Sequence, residues 1–226
     1  MSHKLQDGAI FIADAHYPNH SKELVEFLNK IKNGNIATKQ LILMGDIFDL
    51  LVGGSSYLSN KFRSEINLLE DIAKDIEVIY LEGNHDFNLK ALFKNVNIIP
   101  IEKQPLVLTS ASKTIALSHG DKYNTTLGYK IYTKLIRSPL IISLIPESYP
   151  KAKLESMSSK KICTNIKNFK EIINKILQNY NSDLIIEGHF HQGRVIDRYI
   201  SLPSFACNKE YGVFREKEFK VDFLKL

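Results

Sequence analysis

Val78-Ile79-Tyr80-Leu81 and, after one residue, Gly83-Asn84-His85-Asp86 meet at a sharp boundary: four apolar residues, then four polar or flexible ones. The first group has the character of a short buried strand. The second serves no packing purpose, and in α/β folds the edge of the sheet where strands end is where ligands sit. Asn84 offers a neutral amide oxygen to a metal, and His85 exchanges a proton near neutral pH.

Outward from this point the same design recurs. Asp14 and His16 end the apolar run Ala9-Ile10-Phe11-Ile12. Asp46 and Asp49 follow Leu41-Ile42-Leu43-Met44-Gly45, His119 follows Ile115-Ala116-Leu117, and His189 and His191 follow Leu184-Ile185-Ile186. Between the first strands, Leu24, Phe27, Leu28 and Ile31 repeat at helical spacing over residues 21–32, with Gly34 as a stop. A second helix is expected over 61–75, with Phe62, Ile66, Leu69 and Ala73 inward, and a short one over 89–93. Strands are expected over 97–101, 106–109 and 114–118, with a hairpin turn at 110–113. Residues 122–180 read as helical pieces divided by Pro139, Pro146 and Pro150, the last over 165–180. Strand-rich sequence then returns to the C-terminus. Alternating β and α in the first half and strands in the second predict two packed sheets with helices outside. Residues 122–180 are expected as an inserted cap on a single domain.

The chain of 226 residues is long enough for one domain with a large core. Its 44% hydrophobic content excludes a disordered chain. No apolar run approaches the roughly 20 residues that cross a bilayer. Strand-like residues begin almost at the N-terminus, leaving no room for a signal peptide. The two cysteines, Cys163 and Cys207, are too few for a disulfide framework and suit a reducing cytosol. Between Lys122 and Lys175 there are eleven Lys or Arg against three Glu, a net +8 that leaves −3 for the rest of a chain of +5. Such a run is a solvated helical face or an attractor for phosphate, an anionic membrane or nucleic acid.

Five of the seven histidines sit in the strand-end motifs beside Asp and Asn. Imidazole with carboxylate suits first-row ions such as Mn, Fe or Zn, and the absence of cysteine from the motifs argues against a closed structural zinc site. The ordered pattern D-x-H, G-D-x-x-D, G-N-H-D, H, G-H-x-H resembles that of the calcineurin-like metallophosphoesterases. The resemblance implies a four-layer α/β sandwich, α-β-β-α, carrying two divalent metal ions. It implies that Asp46 bridges them, that Asp14, His16 and His191 complete one site, and that Asn84, His119 and His189 complete the other. Hydroxide held between the ions would attack phosphorus in line. His85 would act at the leaving oxygen, oriented by Asp49, while Asp86 would fix the loop.

The segment from Tyr129 through Arg137-Ser138-Pro139 to Ser158-Ser159-Lys160-Lys161 is similar to the helical lid of the UDP-2,3-diacylglucosamine diphosphatases of lipid A synthesis, as are Asp46-Ile47-Phe48-Asp49 and Phe87. That likeness implies a manganese enzyme acting on a lipid diphosphate at the inner membrane surface, in the cytoplasm. Tyr129, Arg137, Lys160 and Lys161 would bind substrate, and Leu140, Ile141, Ile142, Leu144 and Ile145 would line an acyl groove, touch the membrane or pack the cap down. One departure is His85, where the lipid enzymes are expected to carry Arg. A soluble phosphodiesterase or phosphatase for nucleotides is the alternative. A nuclease or nucleic-acid-binding module has the basic pI of about 9.0 in its favour but no recognisable motif, so no nucleic acid is expected as partner.

Overall fold

A computed structural model describes residues 4–122, 128, 133 and 135–226. Apolar residues in the first half form parallel strands buried on both faces, which is why they read as continuous apolar runs. Strands β1 (Ile10–Ile12), β2 (Gln40–Leu43), β4 (Glu77–Leu81) and β6 (Asn97–Ile99) lie parallel. Antiparallel β12 (Glu210–Arg215) and β13 (Lys220–Lys225) extend that sheet in the order β13-β12-β1-β2-β4-β6. A second sheet runs β10-β11-β9-β8-β7, from β7 (Leu106–Ser110), β8 (Lys113–Ser118), β9 (Leu184–Glu187), β10 (Arg194–Ile196) and β11 (Tyr199–Ser201). A third, two-stranded sheet pairs β3 (Leu51–Val52) with β5 (Asp86–Phe87).

The period of two along each strand sorts its side chains into layers. Phe11, Ile42, Ile79 and Leu81 meet Ile115, Leu117, Leu184, Ile186 and Ile200 between the two large sheets. Ile10, Ile12, Leu41, Leu43, Val78 and Tyr80 face the other way, onto α1 (Glu23–Lys32) and α3 (Arg63–Asp75), through Leu24, Phe27, Leu28, Leu69 and Ile72. On the far side, Ala116, Ile185 and Tyr199 meet Phe169, Ile173 and Ile176 of α6 (Phe169–Leu177). The result is the expected α-β-β-α order.

The helix expected over 61–75 forms as α3, and a short helix that the sequence reading did not expect precedes it. Ser55 caps α2 (Ser56–Lys61) by accepting from the Leu58 amide at 3.3 Å, and α3 starts again after buried Phe62. The hairpin at 110–113 has Ala111 and Ser112 at φ 48° and 66°, the two positive φ values of a type I′ turn, without the usual Asn-Gly. The helix expected from residue 165 begins at Phe169. Strand β12 and the short α7 (Phe205–Asn208) had no distinct signal within the strand-rich C-terminal stretch. Between β8 and α6, the described residues include α4 (Pro139–Leu144) and α5 (Ser148–Met157). On α4, Ile142 is buried, while Leu140 and Leu144 are 77% and 82% exposed. The expected packing of the cap falls to Ile142, while Leu140 and Leu144 stay outside that contact. No helix among the described residues is long and apolar enough to cross a membrane.

The cysteine reading needs correction. Cys163 and Cys207 form a disulfide with their Cα atoms 5.6 Å apart. Their separation of 44 residues hid this, because the chain passes through α6 and the second sheet before returning. Closing a loop of 44 residues restricts the unfolded chain by roughly 4 kcal/mol in the entropic account. A Cys163→Ser/Cys207→Ser variant is expected to unfold at a clearly lower urea concentration than the oxidised protein. Equal midpoints, with or without reductant, would show that the pair contributes nothing.

Candidate metal centre

Asp14, His16, Asp46, His189 and His191 all have positive φ, between 47° and 58°. Each pays for a left-handed backbone that costs an L-residue about 1–2 kcal/mol. Clustering of this strain at strand ends is characteristic of a functional site, and the surrounding bonds hold it. The amides of Asp14 and His16 donate to the carbonyls of Gly45 and Asp46 at 3.2 and 3.0 Å. The His189 amide donates to the Asp14 carboxylate at 2.9 Å, and the His85 amide to Asp46 Oδ1 at 2.8 Å. Two glycines are dictated by close approach. A Cβ on Gly45, itself at φ 85°, would lie 2.5 Å from His119 Nδ1, and one on Gly83 would lie 2.3 Å from Asp46 Oδ1.

Asp86 is the organiser of these loops, as expected. Its carboxylate accepts from the amides of Asp46 (2.9 Å), Ile47 (2.7 Å) and Gly83 (2.9 Å) and from the Tyr80 hydroxyl (2.5 Å). The ends of β2 and β4 are thereby fastened to one buried side chain.

The imidazoles are set from behind. Nδ1 of His119 pairs with the Met44 carbonyl at 2.9 Å and Nδ1 of His191 with the Ile162 carbonyl at 2.9 Å. Each bond leaves Nε2 free to face the cluster, the usual arrangement for a ligating histidine. His191 Nε2 is 3.2 Å from Asp14 Oδ1, and His119 Nε2 is 3.6 Å from Asp46 Oδ2 and 3.2 Å from Asn84 Oδ1. The rings of His119 and His189 lie 5.1 Å apart. Among the described residues, two groups bring their ligand atoms within 4.8 Å of one another: Asp14, His16 and His191, and Asp14, Asp46 and His119. Asp14 is common to both. Both ring nitrogens of buried His16 lack a hydrogen-bond partner among the described residues. Burying them unpaired would be costly in an apolar site. Beside two carboxylates they fit a cation, so the donor set suits divalent metal.

The electrostatics agree. Burial pushes His16 down to about 4, against the pull of Asp46 and Asp14, so it is neutral near pH 7. Asp14 is buried, which opposes ionisation, but His191 holds it below its ordinary value. His119 also resists charging through burial, yet Asp46, Asp121 and Asp14 raise it to about 9. The metal-free protein therefore gains stability from protonated His119 fully below the unfolded value of about 6.5, and loses it as pH rises through about 9. A metal needs that nitrogen unprotonated. Manganese uptake at pH 7 is expected to release protons, and apparent affinity to rise toward pH 9. Calorimetry in buffers of different ionisation enthalpy counts them; uptake with no proton released would contradict this charge state.

His85 stands at the rim. Its Nδ1 meets the Asp49 carbonyl at 2.8 Å, and its Nε2 is 3.9 Å from Asp46 Oδ2 and 3.2 Å from Lys160 Nζ. Asp49 thus orients His85, but through its main chain. The β3–β5 ladder brings the two backbones together, with Leu51 N donating to His85 O at 3.0 Å. The Asp49 carboxylate turns beneath His16 instead, 3.7 Å from its Nδ1, and accepts from the Asn19 amide at 3.0 Å. Lys161 is exposed, and Tyr129 lies outside the described residues. Arg137, expected at the substrate, is turned inward: its Nη2 donates to the Gly83 carbonyl at 2.7 Å and its Nη1 lies 3.4 Å from Glu82. The likeness to the lipid enzymes assigns this cation to substrate, but the Gly83 carbonyl and buried Glu82 take it up inside the protein.

Three residues escaped the sequence reading. His20 Nε2 lies 3.1 Å from the Met157 carbonyl, and Asn19 Nδ2 donates to the Leu154 carbonyl at 3.4 Å, so the loop after β1 grips α5. The i, i+4 spacing of His16 and His20 was the available signal. Gln104 accepts from the His119 amide at 2.7 Å and donates to the Glu82 carbonyl at 2.8 Å. No motif marks it.

Residues 9–193 match the family model described as calcineurin-like phosphoesterase. A protein of Wigglesworthia glossinidia brevipalpis named UDP-2,3-diacylglucosamine hydrolase is 25% identical over 205 residues, spanning 83% of this chain and 81% of its own. One of the same name from Photorhabdus laumondii is 26% identical over 197 residues, 81% of each chain. Among solved structures, a phosphoesterase from E. coli aligns over 96% of this chain and 97% of its own at 12% identity, with a TM-score of 0.46.

Proposed function

The chain belongs to the calcineurin-like phosphoesterase family, and from that premise we propose that this metal-dependent hydrolase cleaves the diphosphate of UDP-2,3-diacylglucosamine, giving UMP and 2,3-diacylglucosamine 1-phosphate. The observation that carries the reading is Lys160 Nζ 3.2 Å from His85 Nε2. The segment that carries α4 and α5, which presents Leu140 and Leu144 outward, also sets the Lys160 cation beside the candidate metal ligands. A charged head and apolar tails call for that combination in one segment. Relatives named for this substrate, 22–26% identical, support it.

Asp14, His16 and His191 would hold one ion, and Asn84, His119 and His189 the other, with Asp46 shared; we take manganese as the metal. Bound ions of this kind supply hydroxide at neutral pH and neutralise phosphoryl oxygens. The protein's own groups do the rest. The Asp49 carbonyl fixes His85 so that Nε2 is the atom that exchanges a proton with the leaving oxygen. Lys160 adds positive charge where the diphosphate lies, with Lys161 and Tyr129 as further substrate contacts. Of the expected cap over 122–180 we keep α4, α5 and the residues around them, since α6 packs on the second sheet, and we place catalysis at a membrane surface that receives Leu140 and Leu144.

Purified protein with Mn²⁺ is expected to release UMP from UDP-2,3-diacylglucosamine in mixed micelles, far faster than it turns over acyl-free UDP-sugars. Comparable turnover of the acyl-free compounds would replace this reading with a soluble nucleotide phosphodiesterase.

A further inference from the structure

We propose that Arg137 is a positioning residue for the hydrolase reaction: from the turn that leads into α4, its guanidinium fixes the Gly83 carbonyl and thereby the amide of Asn84 and the ring of His85. The proposal rests on the metal-dependent hydrolase reading but not on the identity of the substrate.

The contacts enclose the catalytic loop from both ends. Before Asn84, Nη2 donates to Gly83 O at 2.7 Å and Nη1 faces the Glu82 carboxylate at 3.4 Å. After His85, the guanidinium lies over the Phe87 ring at 5.0 Å, and the Arg137 carbonyl accepts from Asn88 Nδ2 at 2.8 Å. Residues 82, 83, 87 and 88 are therefore all touched by one cap residue, while the two between them that face the cluster are left free of it. Glu82 is itself fastened, accepting from the Leu89 amide at 2.8 Å. Its carbonyl and the His119 amide share Gln104, so the clamp adjoins a second candidate ligand as well.

A buried ion pair of this kind is weak support for stability, because desolvation of both charges offsets their attraction. Its better-attested use is to set register. Here the register is that of the loop against the cap. A guanidinium suits the task, since its rigid fork addresses a carbonyl and a carboxylate together. Arg137 is also the last residue before Ser138 and α4, whose Ile142 packs close to Gly54 beside this same loop. Seating α4 and seating Asn84 are thus one structural event.

The test compares Arg137→Ala and Arg137→Lys with the parent protein. Manganese binding is titrated calorimetrically, and kcat and KM are measured on bis(p-nitrophenyl) phosphate. In the Ala variant the weaker manganese event is expected to lose about 10–100-fold in affinity, the range for supporting residues behind a metal ligand. The loss of activity should fall on kcat, with KM nearly unchanged. Added guanidinium chloride at a few millimolar should restore part of kcat, and equal sodium chloride should not. Lys, a single-pronged donor, should be intermediate. Loss of stability alone, with manganese affinity and kcat of the folded protein unchanged, overturns the assignment. So does a Lys variant equal to the parent in both measurements, which decides the matter if the Ala variant does not fold. Should the parent lack hydrolytic activity, the hydrolase reading fails while the manganese titration still tests the clamp.

Discussion

Asp46→Ala is expected to abolish hydrolysis, lowering kcat/KM by at least roughly 10³-fold, and to bind fewer than two equivalents of Mn²⁺. Removing a single preorganised hydrogen-bond donor costs about 10²–10³ in turnover, and this side chain does more than one job. Oδ2 lies 3.6 Å from His119 Nε2, and Oδ1 takes the His85 amide at 2.8 Å. Burial opposes its ionisation, but His85, His119 and His16 hold its carboxyl well below the ordinary range. The alanine therefore leaves concentrated imidazole without its anion and frees the loop that carries His85. Asp46→Asn keeps the acceptor and removes the charge, so it should keep the loop but still lose the metal pair. Metal analysis after gel filtration reads the stoichiometry. Two equivalents of manganese retained by either variant would show that Asp46 is not a shared ligand.

The second large effect concerns a residue that touches no metal in this reading. Asp86→Ala strips the acceptor from the buried amides of Asp46 and Ile47 and from the Tyr80 hydroxyl at once, while the Gly83 amide keeps the main-chain carbonyl of residue 86 at 3.1 Å. Each buried donor left unpaired costs about 1–3 kcal/mol, though neighbours relax and the terms do not add. A loss of roughly 3–5 kcal/mol in urea unfolding is expected, with activity lost in the remaining folded protein because Asp46 is no longer held. Asp86→Asn preserves one oxygen and should recover part of both. If Asp86→Ala unfolds within about 1 kcal/mol of the parent, the carboxylate is not the fastening that the hydrogen bonds describe.

Legibility followed chemistry that repeats along the chain. Ile10 to Ile12, Leu41 to Leu43 and Val78 to Leu81 announced strands because both of their faces are covered, and each ends in residues useless for packing. Helix α1 was readable from four apolar positions on one face. Strand β12 was not separated from its surroundings, because Tyr211, Gly212, Val213 and Phe214 carry no polar alternation. Gln104 and His20 were silent for a different reason. Their roles come from partners 15 and 137 positions away, His119 and Met157. Arg137 shows the limit of a matched segment, since likeness in sequence does not say which cation finds a buried Glu82.

Residue type and spacing alone determined the alternating layers, the family pattern from Asp14 to His191 and the chemistry those donors can perform. Those are local properties: a period of two, a strand end, a side chain's ligand atoms. Tertiary structure alone decided the direction of each side chain. It joined Cys163 to Cys207, turned the Asp49 carboxylate beneath His16 and left its carbonyl for His85, and drew Arg137 inward to Gly83. Such choices depend on which groups arrive within about 3 Å after distant segments pack, and no short window of sequence contains both partners.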